Sequence, residues 1–260
     1  MNIQNQYIRN LITKGDRIRG RALDQYRDIV IEKNPIKNAE GSALVKIGKT
    51  EVMVGVKLDI GEPFADTPDE GILIAGAEFS PIASPEFELG PPGENAIELA
   101  RVVDRGIRES KCIDMKKLCI KKGEKVWMVN IDIQPLSHDG NLIDAAGIAA
   151  IVALMNARLP KLEDDKVVYG EKTDTTLPVN DIPIPVTVAK INGKLFVDPD
   201  LEEEDSIDAR LTITTKSNGN VCALQKGRTG SFSFEEIEEA IKISVRKGKE
   251  IREIVKSLKT

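Results

Sequence analysis

Apolar residues recur along the chain with two periods, and these predict both strands and helices. Every second residue is apolar from 52 to 58, which predicts a half-buried strand over 51–59. Apolar residues at helical spacing predict a helix with one buried face over 94–109 and one that is apolar on most faces over 141–158. The same patterns predict helices within 1–15 and 233–258, and strands over 43–47, 72–79, 125–136, 183–190, 194–198, 209–216 and 220–226.

The order of these elements is strands, helix, strand, helix, strands and helix, after a first helix that Gly15 ends. Residues 48–50 fit a tight hairpin turn, and proline-containing stretches at 61–70 and 80–93 predict irregular loops. The order favours an α+β fold with helices packed on mixed or antiparallel sheets. Because no change of composition marks a linker, we expect a single domain over 1–260.

Composition narrows the range of functions. Hydrophobic residues make up 41% of the chain, enough for a sizeable core, and the net charge is −5. A polyanion would therefore have to be held by a local patch of positive charge rather than by the whole molecule. Aromatic residues are only 4%, which argues against a base-stacking platform, and the one histidine, His138, excludes multi-histidine metal sites.

The cysteines and the apolar stretches give information on the cellular compartment of the protein. Cys112, Cys119 and Cys222 lack C-x-x-C spacing and lie in apolar-rich segments, so we expect buried, reduced thiols. The first residues contain no apolar core of a signal peptide, and the longest apolar stretch, 145–154, is too short to span a membrane. These features predict a cytoplasmic protein without a membrane partner.

The predicted helix over 94–109 carries a cluster of arginines opposite its apolar stripe. Arg101, Arg105 and Arg108 have acidic neighbours at i,i+3 and i,i+4 spacing, which fits a solvated, salt-bridged face with the pairs Glu98–Arg101, Arg101–Asp104 and Asp104–Arg108. However, Arg101 and Arg105 are like charges four residues apart, a mildly unfavourable choice that an external phosphate would relieve. Their spacing suits successive backbone phosphates, so both interpretations stay open.

Two further features could carry chemistry. The turn 138–141 precedes a helix, as a phosphate cradle would, but it brings no Ser, Thr, Lys or Arg, so we expect Asn141 or Asp139 to cap the helix and Asp144 to complement its dipole. Acidic residues crowd 198–208 and could hold Mg²⁺, but such a run is more often solvated. Asp208 stands apart because it begins a predicted strand.

Several motifs together resemble the RNase PH family and, within it, the catalytically inactive ring subunits of archaeal exosomes. The opening Arg-x-x-Gly-Arg signature matches at Arg17 to Arg21. The other matching segments are GENAIELARVVDR at 93–105, VNIDIQPLSHDGNLIDAAGIAAIVAL at 129–154, DARLTITT at 208–215 and ALQKGRTGSFSFEEI at 223–237. The resemblance therefore extends over nearly the whole chain.

This resemblance implies an RNase PH-type domain, related to the second domain of ribosomal protein S5. Active members of the family degrade RNA from its 3′ end by phosphorolysis. In archaeal exosomes, active and inactive paralogues form heterodimers that alternate in a hexameric ring under RNA-binding cap subunits. The implied partners of this chain are thus a catalytic paralogue, the cap subunits and single-stranded RNA.

Departures from the active pattern predict an inactive subunit. Leu142 and Ile143 stand where active members have the hydroxyl and the arginine of a Gly-Ser/Thr-Arg phosphate loop, and residues 94–95 replace a basic pair. Asp208 looks like the family's catalytic aspartate but lacks that phosphate clamp. We therefore expect no catalytic residue, metal or cofactor in this chain.

The resemblance assigns RNA contact to Arg101 and Arg105, which match an Ala-Arg-x-x-Asp-Arg pattern thought to hold the RNA 3′ end beside the partner's active site. Two alternatives stay open. One is a self-sufficient phosphorolytic 3′–5′ exoribonuclease that uses Asp208. The other is a scaffold that makes no contact with RNA.

Overall fold

A computed structural model describes residues 3–163 and 166–258. Its helices are Ile3–Lys14 (α1), Glu94–Ser110 (α2), Leu142–Asn156 (α3), Leu201–Glu204 (α4) and Phe234–Ser257 (α5). Its strands are Ile29–Lys33 (β1), Gly41–Ile47 (β2), Thr50–Gly61 (β3), Ile72–Ala77 (β4), Cys119–Lys121 (β5), Lys125–Ser137 (β6), Arg158–Glu163 (β7), Lys166–Thr176 (β8), Ile184–Ile191 (β9), Lys194–Val197 (β10), Ala209–Thr215 (β11) and Val221–Gly227 (β12). Short 3₁₀ turns lie at Ile18–Gly20 and Met115–Leu118.

Two sheets form the framework. The first has the order β1-β2-β3-β6-β4, with β5 also paired to β6, and only its β4–β6 pairing is parallel among the described strands. The predicted hairpin turn joins β2 to β3, where Ile47 pairs with Thr50 and Gly48 has a φ of +59°. The second sheet, β10-β9-β11-β12, is antiparallel throughout. The α+β prediction with mixed and antiparallel sheets is confirmed.

Helix α3 lies in the core between the two sheets. It packs on β2 and β3 of the first sheet, on β9 of the second, and on α2. Every residue from Asp144 to Leu154 is buried, as expected for a helix that is apolar on most faces. Small residues allow this close approach, since a Cβ on Gly147 would lie 2.4 Å from Cγ of Pro185. One hydrophobic cluster consequently contains residues from both sheets.

The outer helices cover the remaining faces. Helix α2 packs on β4 and β12, and α5 packs on β9 and β11. Helix α1 seals a smaller cluster in which Ile8 and Ile12 meet Phe196 of β10. No helix within 3–163 and 166–258 is long and apolar enough to cross a membrane. The prediction that 1–260 form one domain stays a prediction.

Several local predictions were wrong or incomplete. The central helix ends at Asn156 rather than 158, because Arg158 begins β7 of a two-stranded ribbon with β8 that no pattern predicted. Of the three cysteines, all free thiols, only Cys112 is fully buried, and burial raises the pKa of its thiol to about 11. The other two are half-buried.

Candidate functional site

An arginine-lined groove runs between α2 and β12. It has a volume of about 340 Å³. Its walls include Arg101 and Arg105 together with Glu94, Ile97 and Glu98, all from α2, and Gln225 from β12. The stripe from Ala96 to Ile107 is buried on the other side of α2, which leaves both arginines exposed. Within the described part of the chain, neither guanidinium has a hydrogen-bond or ion-pair partner. We call this feature the arginine groove.

The acids next to these arginines are bound by other arginines. Arg108 holds Asp104 through two hydrogen bonds, Nε to Oδ2 at 3.0 Å and Nη2 to Oδ1 at 2.7 Å. Glu98 accepts a hydrogen bond from Nη2 of Arg210 on β11. The predicted pair of Asp104 with Arg108 is therefore confirmed. The pairs of Arg101 with its two acidic neighbours do not form, so the salt-bridged interpretation is wrong for Arg101.

The turn before α3 differs from the predicted cap. Gly140 and Asn141 have φ values of +84° and +56°, in the left-handed region, and α3 begins without a side-chain cap. The amide Nδ2 of Asn141 instead donates to Asp144 at 2.9 Å and to Asp198 at 3.0 Å. The backbone N–H of Asn141 donates to Oε1 of Glu204 at 2.7 Å. A carboxylate thus takes a backbone donor that an anion at this turn would need.

Asp144 lies in the first turn of α3, where it complements the helix dipole as predicted, and its buried carboxylate also accepts several hydrogen bonds. Its Oδ2 accepts hydrogen bonds from the Tyr26 hydroxyl at 2.7 Å and the Thr187 N–H at 3.0 Å, besides the one from Asn141. Its Oδ1 accepts from the Thr187 hydroxyl at 2.8 Å. Burial raises the pKa of Asp144 to about 6, although these bonds favour the charged form. The residue ties α3 to the loop before β1 and to β9.

A second cavity of about 340 Å³ opens beside this turn, and we call it the turn cavity. Leu142 and Ile143 present apolar side chains to it, and His138 stacks on Phe87 in its wall with ring centroids 5.4 Å apart. Its charged lining residues are the acids Glu86, Glu98, Glu204 and Asp205 and the bases Arg210 and Arg228.

The acids outnumber the arginines in the turn cavity, and one of the two arginines is already bound to Glu98. Burial raises the pKa of Glu204 to about 7, against the opposing effect of the hydrogen bond from Asn141. Excess negative charge repels an anion, and unpaired guanidinium groups are what phosphate recognition needs. The turn cavity is therefore a poor phosphate site.

Asp208 lies outside the turn cavity. Its Oδ1 accepts a hydrogen bond from Nη1 of Arg9 at 2.8 Å, and its Oδ2 accepts one from the backbone N–H of Asn192 at 2.8 Å. Although burial opposes ionisation, these two hydrogen bonds lower the pKa of Asp208. The strand position that faces the cavity belongs to Arg210, which the sequence analysis did not single out.

Arginines of segment 17–27 form ion pairs with acidic residues of segment 198–208. Arg17 forms a fully buried pair with Glu203, and Arg27 pairs with Asp198, donating Nη2 to Oδ1 at 2.8 Å. Arg27 also donates to the carbonyl of Asp139 at 2.6 Å, so it holds the turn before α3. The prediction of a solvated acidic run is wrong for Asp198, Asp200 and Glu203, which are buried. No group of three His, Cys, Asp or Glu side chains among residues 3–163 and 166–258 is arranged to hold a metal ion.

Comparisons with known proteins agree with the resemblance. The two domain models of the 3′ exoribonuclease family, RNase PH, match residues 25–160 and 181–247. The exosome complex component Rrp42 of Thermococcus kodakarensis is 50% identical over 97% of this chain and 94% of its own length. That of Methanopyrus kandleri is 49% identical over 95% and 93%.

Solved structures show the same likeness. A chain of the Archaeoglobus fulgidus exosome with RNA bound to the active site superposes with a TM-score of 0.91 at 47% identity, covering 96% of this chain and 97% of that one. An archaeal exosome core chain gives 0.87 at 44% identity, covering 98% and 96%. Rice Rrp46, at 17% identity and a TM-score of 0.71 over 93% and 99%, shares the fold. Matching in sequence over nearly its full length, the chain belongs to the RNase PH family of 3′ exoribonucleases.

Proposed function

We propose that this chain is a non-catalytic, RNA-contacting subunit of an exosome ring, paired with a catalytic RNase PH-like paralogue. Relatives that are about 50% identical to this chain over nearly its full length are named exosome complex components, which supports the assignment to an exosome. The proposal includes RNA-binding cap subunits as further partners, single-stranded RNA as the ligand and a cytoplasmic location. The observation that carries RNA contact is the pair of exposed, unpaired guanidinium groups at Arg101 and Arg105.

The turn cavity supports the non-catalytic part of the proposal. Phosphoryl transfer depends on positioning and on electrostatic stabilisation of phosphate oxygens, and removing such contacts costs orders of magnitude in rate. Here Leu142 and Ile143 line the cavity, acids outnumber arginines, and Asp208 is bound to Arg9 elsewhere. These features argue against the self-sufficient exoribonuclease that uses Asp208.

We expect the purified chain alone to release no nucleoside diphosphate from single-stranded RNA in the presence of inorganic phosphate and a divalent metal. Adding the catalytic paralogue should give more product than the paralogue gives by itself, because the ring supplies RNA contacts that the paralogue lacks. Product release is measured by chromatography. The control is Asp208→Asn in the assembled complex, which should keep the rate. Clear turnover by the chain alone, lost in Asp208→Asn, would establish the enzyme alternative.

The arginine groove predicts the behaviour of a charge-reversal variant. In the assembled complex, Arg101→Glu with Arg105→Glu should weaken binding of single-stranded RNA at least about tenfold at low salt, because two phosphate contacts become repulsive. The slope of log K against log salt should become shallower by roughly 0.7 for each lost contact. Affinity is measured by fluorescence anisotropy over a series of salt concentrations.

A matched control reverses the same amount of charge away from the groove. Lys242→Glu with Lys249→Glu places two charge reversals on α5, both at exposed positions without an ion-pair partner among the described residues. This control should leave both the affinity and the salt slope close to the unmodified values. If the groove variant also keeps its slope, the scaffold that makes no contact with RNA becomes the better description.

A further inference from the structure

The availability of Arg101 depends on where the Glu98 carboxylate is bound. Glu98 precedes Arg101 by three residues on α2, a spacing at which an acid and a base normally meet on a helix surface. In the structure, Glu98 instead points to Arg210 on β11, 112 residues away in sequence. The side chains of the two are 15% and 30% exposed, for Arg210 and Glu98 respectively. Glu98 therefore forms a partly buried ion pair with Arg210 instead of an exposed ion pair with Arg101 on its own helix.

The surroundings of Arg210 fix its guanidinium in this position. Arg210 pairs with Gly227 across β11 and β12, and a Cβ at residue 227 would lie 2.6 Å from Nε of Arg210. Because residue 227 is a glycine, the guanidinium of Arg210 can lie in the space that a side chain there would occupy. Its Nη1 is buried without a partner, and Glu98 is its one hydrogen-bond partner among the described residues. Because a buried cation without a counter-charge is costly, Arg210 competes strongly for Glu98.

We propose that Arg210 is a positioning residue for the arginine groove: it sequesters Glu98 and so keeps Arg101 free for phosphate. This inference rests on the proposed function, because it concerns the RNA contact of Arg101. Arg108 acts in the same way on Asp104, so the two acids that lie three residues from Arg101 on α2 are both held by other arginines. Arg101 thus stays unpaired, although Glu94 and Glu98 also line the groove.

The test uses the assembled complex and compares a single variant with its rescue. Arg210→Met releases Glu98, which can then turn to Arg101, and RNA affinity at low salt should fall about threefold to tenfold with a shallower salt slope. Adding Glu98→Gln removes the released charge, so the double variant should regain the original affinity and slope. Melting temperatures are recorded for each complex. Arg210→Gln, with the same expected loss and rescue, takes the place of methionine if that variant does not assemble.

A matched control separates sequestration from loss of an ion pair. Arg9 and Asp208 form an ion pair whose side chains are 18% and 32% exposed, close to the values for Arg210 and Glu98. This pair lies next to β11 but away from α2. Arg9→Met should leave RNA affinity unchanged, even if it lowers the melting temperature as much as Arg210→Met does.

The outcomes distinguish this inference from the proposed function. Loss of affinity in Arg210→Met without rescue by Glu98→Gln would overturn it, since a direct or purely structural role of Arg210 would then be at work. No loss in Arg210→Met, with loss in the variant that reverses Arg101 and Arg105, would overturn the inference and leave the function intact. If that reversal itself has no effect, the proposed function fails.

Discussion

Replacing Arg17 with methionine is expected to lower the free energy of unfolding by about 3–5 kcal/mol, the cost of removing one partner from a buried ion pair. Its Nε and Nη2 donate to the two carboxylate oxygens of Glu203 at 2.9 and 2.5 Å, and both side chains are fully buried. Its remaining hydrogens bond the carbonyls of Val197 and Asp198, each at 2.8 Å, and that of Gln25 at 3.4 Å. Methionine would leave these acceptors without their main donor. Urea unfolding of the chain measures the loss.

Two variants show whether the buried charge is the cause. Arg17→Met combined with Glu203→Met removes both charges. It should be less destabilising than Arg17→Met alone, which leaves the buried Glu203 carboxylate with Arg21, at 3.3 Å, as its remaining cationic partner. Arg19→Met, in the same basic motif but exposed, should change the stability by less than about 0.5 kcal/mol. A loss for Arg17→Met no greater than that for Arg19→Met would contradict the prediction.

Gly140→Ala is expected to lower the free energy of unfolding by about 2–5 kcal/mol, from two additive causes. Its φ of +84° disfavours any residue with a Cβ, which costs roughly 1–2 kcal/mol. In addition, a Cβ there would lie 2.5 Å from the carbonyl carbon of Asp200 and 2.6 Å from the nitrogen of Leu201. Both are backbone atoms, so relief requires moving the turn or the start of α4, at about 1–3 kcal/mol.

Gly219 provides the control for backbone strain alone. It has the same φ of +84°, and the one atom near its hypothetical Cβ is Cγ1 of Val245 at 3.7 Å, an ordinary contact. Gly219→Ala should therefore show only the cost of the left-handed conformation. The two variants are compared by urea unfolding under identical conditions. Equal losses would mean that the contact with the start of α4 is unimportant.

Sequence periodicity was sufficient to predict the helices and strands in which buried residues recur at a regular spacing. Helix α2 and strand β3 bury one face each, and α3 buries every face, so their apolar patterns predict them directly. The ribbon of β7 and β8 was missed because its side chains are mostly exposed and show no alternation. The short helix α4 was missed because its four residues are too few for a period, although Asp200 caps it through the N–H of Glu203.

The sequence predicted those parts of the site that lie within a single short segment of the chain. Arg101, Arg105 and the altered phosphate loop were visible as motifs, and so were the basic motif and the acidic run. What joins them was not visible, because Arg17 and Glu203 are 186 residues apart. Local spacing in fact predicted the wrong partner for Glu98, since an exposed i,i+3 pair contributes only about 0.2–0.5 kcal/mol and yields to a tertiary partner. No signal in the sequence marked Arg210 before the fold placed it.

The position of α3 has a consequence for how the chain acquires its structure. The helix belongs to the first segment that matches the family, 25–160, yet one of its faces packs on β9, which belongs to the second, 181–247. The first segment alone would expose that apolar face to water, and the second alone would lack the helix that covers its sheet. Neither segment encloses a complete core, so folding should be cooperative across both, with the contacts of α3 on β9 forming only after much of the chain has been synthesised.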